Sequence, residues 1–206
     1  MNKKNLLVNL LFIIAVLIII ITGWGLCKKE KKSTTLLYPK ILETDPKKGS
    51  DSARVTIIEF GDFQCQYCQT MSEIFNQVKQ EYGENVRLIW KDFPLTSIHD
   101  QASGAAQAAR CAQMQGKFWE MHDLLFQNQS KLSATLYLSL AEQLKLNTDS
   151  FSECLSSQET IGLINQNMAE GNQLGVKGTP YFYVNQTIEN EVVYLEDLKK
   201  IIDSEL

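Results

Sequence analysis

The sequence predicts an α/β domain with an inserted block of helices, preceded by a membrane-spanning helix. Strand, helix and strand patterns follow one another over residues 54–93, and two further strand patterns precede a closing helix at the C-terminal end. The chain between them, about residues 99–174, shows helical periodicity alone. Elements in this order form one sheet domain, here residues 51–206, that carries a helical insertion.

The composition agrees with one globular domain. The chain has 206 residues, of which 44% are hydrophobic and 21% are charged, so a core can form and disorder is expected only locally. The net charge of −4 shows none of the basic footprint that nucleic-acid-binding proteins carry. We therefore expect no nucleic acid partner.

Residues 1–27 form a separate apolar segment. As a helix, Leu6–Leu26 would be roughly 31 Å long, about the thickness of the hydrocarbon layer of a membrane. Two lysines precede it, as in a secretory signal, but no small-residue cleavage site follows. Cys27 follows Leu26, which is bulkier than the residue expected before a lipidated cysteine. An uncleaved membrane anchor is the main prediction, and cleavage or lipidation at Cys27 is the alternative.

Residues 28–50 read as a charged linker that leads into the domain. The lysines after the apolar run outnumber the two before it, and the positive-inside rule alone would keep the domain in the cytosol. Long domains cross membranes with less regard to flanking charge, and the cysteine chemistry described below favours the outside. We therefore place the domain outside the cytoplasm.

The first elements form a βαβ unit. Arg54–Phe60 is rich in β-branched and apolar residues and predicts a buried strand. An amphipathic helix follows, and Gly83 ends it. Its apolar face consists of Met71, Ile74, Phe75, Val78 and Tyr82. Val86–Phe93 is a second strand, and a right-handed crossover makes it parallel to the first.

The insertion contains several helices. Asp100 is predicted to cap a helix with an alanine face, which Gly116 ends, and "KFWEMHDLLF" continues as the next helix. Ser133 is predicted to cap a helix with a leucine face, and two more helices run from about Asp149 to Leu174. The chain then returns to the sheet with a strand at Tyr181–Val184. "TIENEVVY" can pair with it as a hairpin, and "LEDLKKIIDSEL" forms the closing helix.

The motif C-x-x-C at Cys65 and Cys68 is the main chemical signal. A zinc site would need a second pair at similar spacing, and the remaining cysteines and histidines are singly placed: Cys111, Cys154, His99 and His122. A structural bridge across so short a loop gains little entropy. Beside a βαβ pattern, C-x-x-C is typical of a redox pair, so we expect neither a metal nor a cofactor.

Position assigns a role to each cysteine. Cys65 opens the helix, where unpaired N–H groups and the helix dipole lower the pKa of a thiol, so it is the predicted nucleophile. Cys68 lies one turn further along and is the predicted resolving thiol. Glu59 lies in the strand six positions before Cys65. Buried there it could relay protons, whereas on an edge strand it would face water. The two histidines are expected in packing or helix-terminal roles.

These motifs together resemble the thioredoxin superfamily. They are a strand acid, C-x-x-C at a helix start, and Thr-Pro before a late strand. The insertion with "GKFWEMHDLLF" and "GVKGTPYFYVN" is similar to the DsbA-like extracytoplasmic thiol–disulfide oxidoreductases, over about residues 50–206. The resemblance implies that Glu59 is buried, that Pro180 is cis and faces the cysteine pair, and that Thr179 and Pro180 hold an extended substrate backbone beside Cys65.

Cys111 and Cys154 both lie in the insertion. Two buried free thiols are one interpretation, since a free cysteine packs as a small hydrophobic residue. In an oxidising compartment a structural disulfide is favoured. On the loop-entropy argument it would stabilise the fold by about 4 kcal/mol.

The sequence thus predicts a membrane-anchored, extracytoplasmic oxidoreductase that passes its Cys65–Cys68 disulfide to thiol-containing exported proteins. The resemblance implies a quinone-linked membrane partner that reoxidises the pair. Gln66 and Tyr67 add no positive charge beside the nucleophile, so we expect an oxidant of intermediate strength. Two alternatives remain. One is an isomerase or reductant on the same fold, and the other is a membrane-tethered peptide-binding or holdase module without redox turnover.

Overall fold

The computed structural model describes residues 38–189 and 192–206. Its centre is a five-stranded sheet in the order β1-β3-β2-β4-β5. The strands are β1 Lys47–Lys48, β2 Val55–Gly61, β3 Val86–Asp92, β4 Tyr181–Val184 and β5 Thr187–Glu189. The helices are α1 Gln66–Tyr82, α2 Ala102–Gln113, α3 Phe118–Gln127, α4 Ala134–Gln143, α5 Thr148–Leu155, α6 Gln158–Leu174 and α7 Leu195–Glu205.

The predicted βαβ unit is confirmed. β2 and β3 pair in parallel from Val55 opposite Val86 to Gly61 opposite Asp92, and α1 connects them. β4 pairs antiparallel with β2, and the predicted hairpin joins β4 to β5. Asn185 makes the hairpin turn with φ 51°, a left-handed conformation that asparagine tolerates. β2 therefore lies inside the sheet, with a paired strand on each side.

The helical insertion is confirmed as α2 to α6, between β3 and β4. Ser133 caps α4 as predicted, because its hydroxyl accepts a hydrogen bond from the Leu136 N–H at 3.3 Å. The predicted cap at Asp100 is wrong. α2 has Gln101 at its N-cap without a side-chain hydrogen bond, and the Asp100 carboxylate instead accepts from Gln64 Nε2 at 2.9 Å. The carboxylate therefore binds the loop before the cysteine motif.

Residues 38–50, which the sequence assigns to the linker, pack onto the domain. β1 pairs antiparallel with β3, with Lys47 opposite Ile89. Asp45 is buried, and the Trp119 indole donates a hydrogen bond to the Lys47 carbonyl at 2.9 Å. A two-residue strand of lysines has no hydrophobic alternation, so its sequence gives no strand signal.

Two large apolar clusters surround the sheet and the insertion. One joins the faces of α1 and α7 to β2, β3 and β4, and the other fills the helical insertion and reaches both cysteines of the motif. Gly61, at the end of β2, faces the Trp90 ring, which a Cβ atom there would overlap. The end of β2, where the cysteine motif begins, is thereby packed directly against β3.

Within the described residues, no helix has both the length and the apolar character needed to cross a membrane. The predicted span Leu6–Leu26, like Cys27, lies outside the part of the chain that the structure describes.

Candidate active site

Cys65 occupies the N-cap position of α1, where the sequence places it. Its backbone is extended, with φ −77° and ψ 120°, and its carbonyl accepts the first helical hydrogen bond from the Gln69 N–H at 3.2 Å. Its own N–H donates to the Asp62 carbonyl at 3.1 Å, which closes the turn between β2 and the helix. The Cys65 sulfur therefore lies beside the unpaired N–H groups of the first helical turn.

The surroundings of Cys65 favour a thiolate. The Cys68 thiol donates a hydrogen bond to the Cys65 sulfur, and the Tyr67 and Cys68 N–H groups contribute as well. The Thr179 hydroxyl, which has no other hydrogen-bond partner among the described residues, adds to this effect. These donors outweigh partial burial and lower the pKa of Cys65 to about 5. At neutral pH Cys65 is thus mainly the nucleophilic thiolate.

Cys68 has the opposite environment. Its side chain is fully buried, and burial, together with the hydrogen bond to Cys65 and the negative charges of Glu59 and Cys65, raises its pKa well above the ordinary value. Cys68 therefore stays a thiol until a base removes its proton. The two cysteines are chemically unequal, in the sense that the sequence predicts.

Glu59 lies beneath the cysteine pair. It is only 4% exposed, and because β2 is central, the alternative of an edge-strand residue facing water is wrong. Burial, and then the charge of Cys65, raise the pKa of Glu59 to about 8, while its contact with the Cys68 thiol opposes the shift. Its Oε1 atom has no hydrogen-bond partner among the described residues. A neutral acid at pH 7 therefore lies in contact with the resolving thiol.

Thr179 and Pro180 lie beside Cys65. The peptide bond between them is cis, and the Cys65 thiol reaches the Thr179 carbonyl at 3.2 Å. An open groove of about 680 Å³ starts at this point. It is lined by Tyr67, Gly175, Lys177, Gly178, Thr179, Pro180, Tyr181 and Val192. Tyr67 is 65% exposed on one wall, so an extended polypeptide has a surface to contact next to the reactive sulfur.

Asp62 organises the approach to Cys65, a role that the sequence analysis missed. Its buried carboxylate accepts hydrogen bonds from the Gln64 N–H at 2.7 Å and the Leu95 N–H at 2.8 Å. The same carboxylate lies 2.8 Å from His99 Nδ1. Asp62 thereby ties the loop after β3 to the turn before the nucleophile. In sequence, an aspartate in a Gly-Asp pair at the end of a strand looks like an ordinary turn residue. Only its position close to the cysteine motif could have indicated a role in the site.

Gln129 is a second contact that the sequence analysis missed. Its side-chain amide donates to the Phe63 carbonyl at 2.9 Å and the Cys65 carbonyl at 3.0 Å. Gln129 lies in the short 3₁₀ turn Gln129–Lys131, far from the motif in sequence. The helical insertion thus supports the backbone on which the nucleophile stands.

His122 is a packing residue, as predicted. Its ring is buried among Phe63, Trp90, Phe126 and Trp119, and its Nδ1 atom lies 2.9 Å from Asp123 Oδ1. Burial lowers its pKa although the neighbouring Asp123 opposes the shift. The ring is therefore neutral at pH 7.

The structure joins Cys111 of α2 to Cys154 of α5 in a disulfide, the pairing expected from the sequence, whereas Cys65 and Cys68 are thiols. Among residues 38–189 and 192–206, no group of three or more His, Cys, Asp and Glu side chains could hold a metal ion.

Comparison with known proteins gives a consistent family signal. A family model described as thioredoxin matches residues 42–204. A Bacillus cereus protein named "Probable disulfide bond formation protein D" is 30% identical, and the match covers 100% of this chain and 98% of that protein. The oxidised BdbD structure from Bacillus subtilis has a TM-score of 0.73 at 22% identity, covering 80% of this chain and 94% of that one, and shows the same fold.

A different relative is much longer than this chain. The Na(+)/H(+) antiporter NhaA 3 of Salinispora tropica is 39% identical over 150 residues, which are 73% of this chain. The match spans only 23% of the antiporter, so most of that protein has no counterpart here.

Proposed function

Because the chain belongs to the DsbA-like thiol–disulfide oxidoreductases of the thioredoxin family, we propose that its Cys65–Cys68 pair introduces disulfides into exported proteins. The observation that carries this proposal is the inequality of the two cysteines. Cys65 has a pKa of about 5 at the edge of an open groove, and Cys68 is buried with a raised pKa. A sulfur with a lowered pKa, such as that of Cys65, is both a reactive nucleophile and a good leaving group, and thiol–disulfide exchange requires both properties.

In the proposed reaction, a substrate thiolate attacks Cys65 of the oxidised pair. The new bond joins the substrate sulfur to Cys65, the Cys65–Cys68 bond breaks, and its electron pair goes to Cys68. Glu59, protonated below its pKa of about 8, gives its proton to the Cys68 sulfur. A second substrate thiolate then attacks the first substrate sulfur, and Cys65 leaves as a stable thiolate. Two substrate thiols are oxidised and one enzyme disulfide is reduced.

The groove beside Cys65 supports the role proposed for Thr179 and Pro180. An extended substrate can lie along Thr179–Tyr181 with its sulfur next to Cys65, between the exposed Tyr67 ring and Val192. Half of the lining residues are small, namely Gly175, Gly178, Thr179 and Pro180, so the surface suits many sequences rather than one.

The cellular setting is part of the proposal. Exported thiol proteins are the proposed substrates, a quinone-linked membrane protein reoxidises the pair, and Leu6–Leu26 anchors the domain outside the cytoplasm, in the periplasm or at the cell surface. The Cys111–Cys154 disulfide supports an oxidising compartment. A reporter fused after Leu206 should be active only outside the cytoplasm. Activity in the cytoplasm would contradict the location.

Turnover of a dithiol peptide by the oxidised full-length protein tests the activity. The unmodified protein should form the peptide disulfide, whereas Cys65→Ser and Cys68→Ser should both be inactive. Offered the peptide in its disulfide form, Cys68→Ser should accumulate a mixed disulfide through Cys65. Peptide binding without any turnover would favour the holdase alternative. Net reduction or reshuffling of peptide disulfides would favour the reductant or isomerase.

A further inference from the structure

Glu59 is neutral in the reduced protein at pH 7, so it must lose a proton to solvent before it can take the proton of Cys68, although its side chain is only 4% exposed. One carboxyl oxygen contacts the Cys68 thiol, and Oε1 has no partner among the described residues. The groove beside Cys65 does not include Glu59 among its lining residues. The proton that Glu59 loses therefore needs another way out.

A small cavity adjoins Glu59 and is lined by residues of α1, α3 and the strands β2 and β3. Its volume is about 10 Å³, close to the smallest that holds one water molecule. Its lining residues include the polar Ser72, Asn76 and His122 together with Glu59. A water molecule there would have the two to four polar partners that a buried water needs.

A pocket of about 120 Å³ opens to solvent on the outer side of the same two residues. Ser72 and Asn76 line both this pocket and the cavity, and Glu73 and Asp123 add carboxylates to the outer pocket. Ser72 is 6% exposed. Ser72 and Asn76 therefore lie between the cavity beside Glu59 and the surface pocket, as part of the wall of both.

Asn76 is held in place by charged neighbours. Its Oδ1 accepts from Lys48 Nζ at 2.9 Å, and its Nδ2 donates to Asp123 Oδ1 at 3.5 Å. The same Asp123 oxygen lies 2.9 Å from His122 Nδ1. The neutral His122 ring donates there from Nδ1, which leaves Nε2 as a hydrogen-bond acceptor.

We propose that protons pass between Glu59 and solvent through a polar passage that Ser72 and Asn76 form between the cavity and the outer pocket. The inference rests on the proposed function and deepens it. For the reoxidation step, neutral Glu59 first gives its own proton through cavity water, past Ser72 and Asn76, to the surface. When Cys68 then attacks a mixed disulfide at Cys65, the Cys68 proton goes to the Glu59 carboxylate. The Cys65–Cys68 bond forms, and the other thiolate leaves Cys65. Ser72 and Asn76 are positioning residues for this transfer.

Reaction of the reduced full-length protein with excess Ellman's reagent separates the two steps. Attack by Cys65 releases a first coloured thiolate, and attack by Cys68 on the resulting mixed disulfide releases a second. Ser72→Val and Asn76→Leu should slow the second phase roughly tenfold, within the usual range for losing an acid–base step, and should leave the first phase unchanged. The two variants change the passage independently, so either suffices if the other does not fold.

Matched variants exclude a purely structural effect. Ser72→Thr has the same shape as Ser72→Val but keeps the hydroxyl, so its second phase should stay close to that of the unmodified protein. Gln77→Leu makes the same amide-to-leucine change at an exposed position of α1 and should also have no effect. Equal second phases in Ser72→Val and Ser72→Thr, or equal slowing of both phases, would overturn the passage. A missing second phase in the unmodified protein would instead reject the proposed function itself.

Discussion

Cys65 and Cys68 have opposite pKa shifts although one helical turn separates them. Hydrogen-bond donors from the Tyr67 and Cys68 backbone and from the Cys68 thiol converge on the Cys65 sulfur. Cys68 is buried and lies next to Glu59, so its own charged form is disfavoured. This difference in environment makes Cys65 the attacking and leaving sulfur, and it stabilises the reduced pair relative to the disulfide.

The raised pKa of Glu59 predicts a specific pH dependence of stability. The folded protein keeps this carboxyl protonated up to about pH 8, whereas the unfolded chain ionises it near the ordinary value of 4.5. Folding then takes up a proton between these values, so this group lowers the free energy of unfolding as pH rises through the window. The difference in free energy of unfolding between Glu59→Gln and the unmodified protein should therefore shift in favour of the variant as pH rises from 5 to 8. The shift should be up to about 1.4 kcal/mol per pH unit.

Urea unfolding of both proteins at the two pH values measures this difference. Glu142→Gln, an exposed change on α4, should give a difference that does not vary with pH. A Glu59→Gln difference that is equally constant would mean that the carboxyl is not held neutral in the fold.

The reacting residues could be predicted from sequence because each stands in a short local motif. C-x-x-C after a strand and before a helix gives Cys65 and Cys68, and the strand position gives Glu59. Asp62 and Gln129 could not be found this way. Their partners lie on the loop after β3 and at the start of α1, and such contacts exist only once the chain has folded.

At the scale of elements, the helical insertion serves as a support for the start of α1. α3 supplies the aromatic and histidine side chains behind Phe63, and the turn after it supplies Gln129 to the Cys65 carbonyl. The Cys111–Cys154 disulfide joins α2 to α5 within this insertion. The insertion therefore contributes to the active site without contributing a reacting group.

Replacing both Cys111 and Cys154 by alanine should lower the free energy of unfolding by about 4 kcal/mol. The reason is that the unfolded chain loses a crosslink between residues 43 positions apart. Urea unfolding measures the change. Non-reducing peptide mapping of protein from its native compartment should find the Cys111–Cys154 pair. If mapping finds two free thiols, the bridge and the argument for an oxidising compartment both fail.

The insertion also shows why periodicity predicts helices better than their ends. Alanine and leucine faces gave α2 and α4, because burial of one face is what stabilises them. Asp100 was predicted to cap α2 from its residue type alone, but its carboxylate accepts a hydrogen bond from the Gln64 side chain instead. β1 was missed because its pairing with β3 depends on the partner strand and not on its own two lysines.

At the scale of the whole molecule, a buried cluster of charged side chains around Lys91 of β3 holds the segment that contains Lys40 and Asp45 against the sheet. Lys91 Nζ lies 2.7 Å from Asp45 Oδ2 and 2.8 Å from Glu170 Oε2, and it donates to the Lys40 carbonyl at 2.7 Å. The Lys91 side chain is wholly buried. Charged residues are rarely buried, so a sequence pattern places them on the surface, and this cluster could not be predicted.

Lys91→Met should lower the free energy of unfolding by about 3–5 kcal/mol, because it leaves the buried Asp45 carboxylate and the partly buried Glu170 carboxylate without their cation. Lys47→Met is the control. It removes a pair with Glu43, whose side chain is 98% exposed, and should cost no more than about 1 kcal/mol. Denaturant unfolding compares the variants, and hydrogen exchange should rise over residues 40–46 in Lys91→Met alone. Equal losses in the two variants would contradict an anchoring role for the cluster.

The reduction potential of the Cys65–Cys68 pair, measured by equilibration with glutathione buffers, tests the proposed oxidase most directly. Cys65, with a pKa of about 5, falls between thioredoxin at about 7 and the strongly oxidising DsbA at about 3.5. We therefore predict a potential between about −270 mV, the value of thioredoxin, and about −120 mV, the value of DsbA. A potential at or below about −270 mV would contradict the account, because the pair would then serve as a reductant.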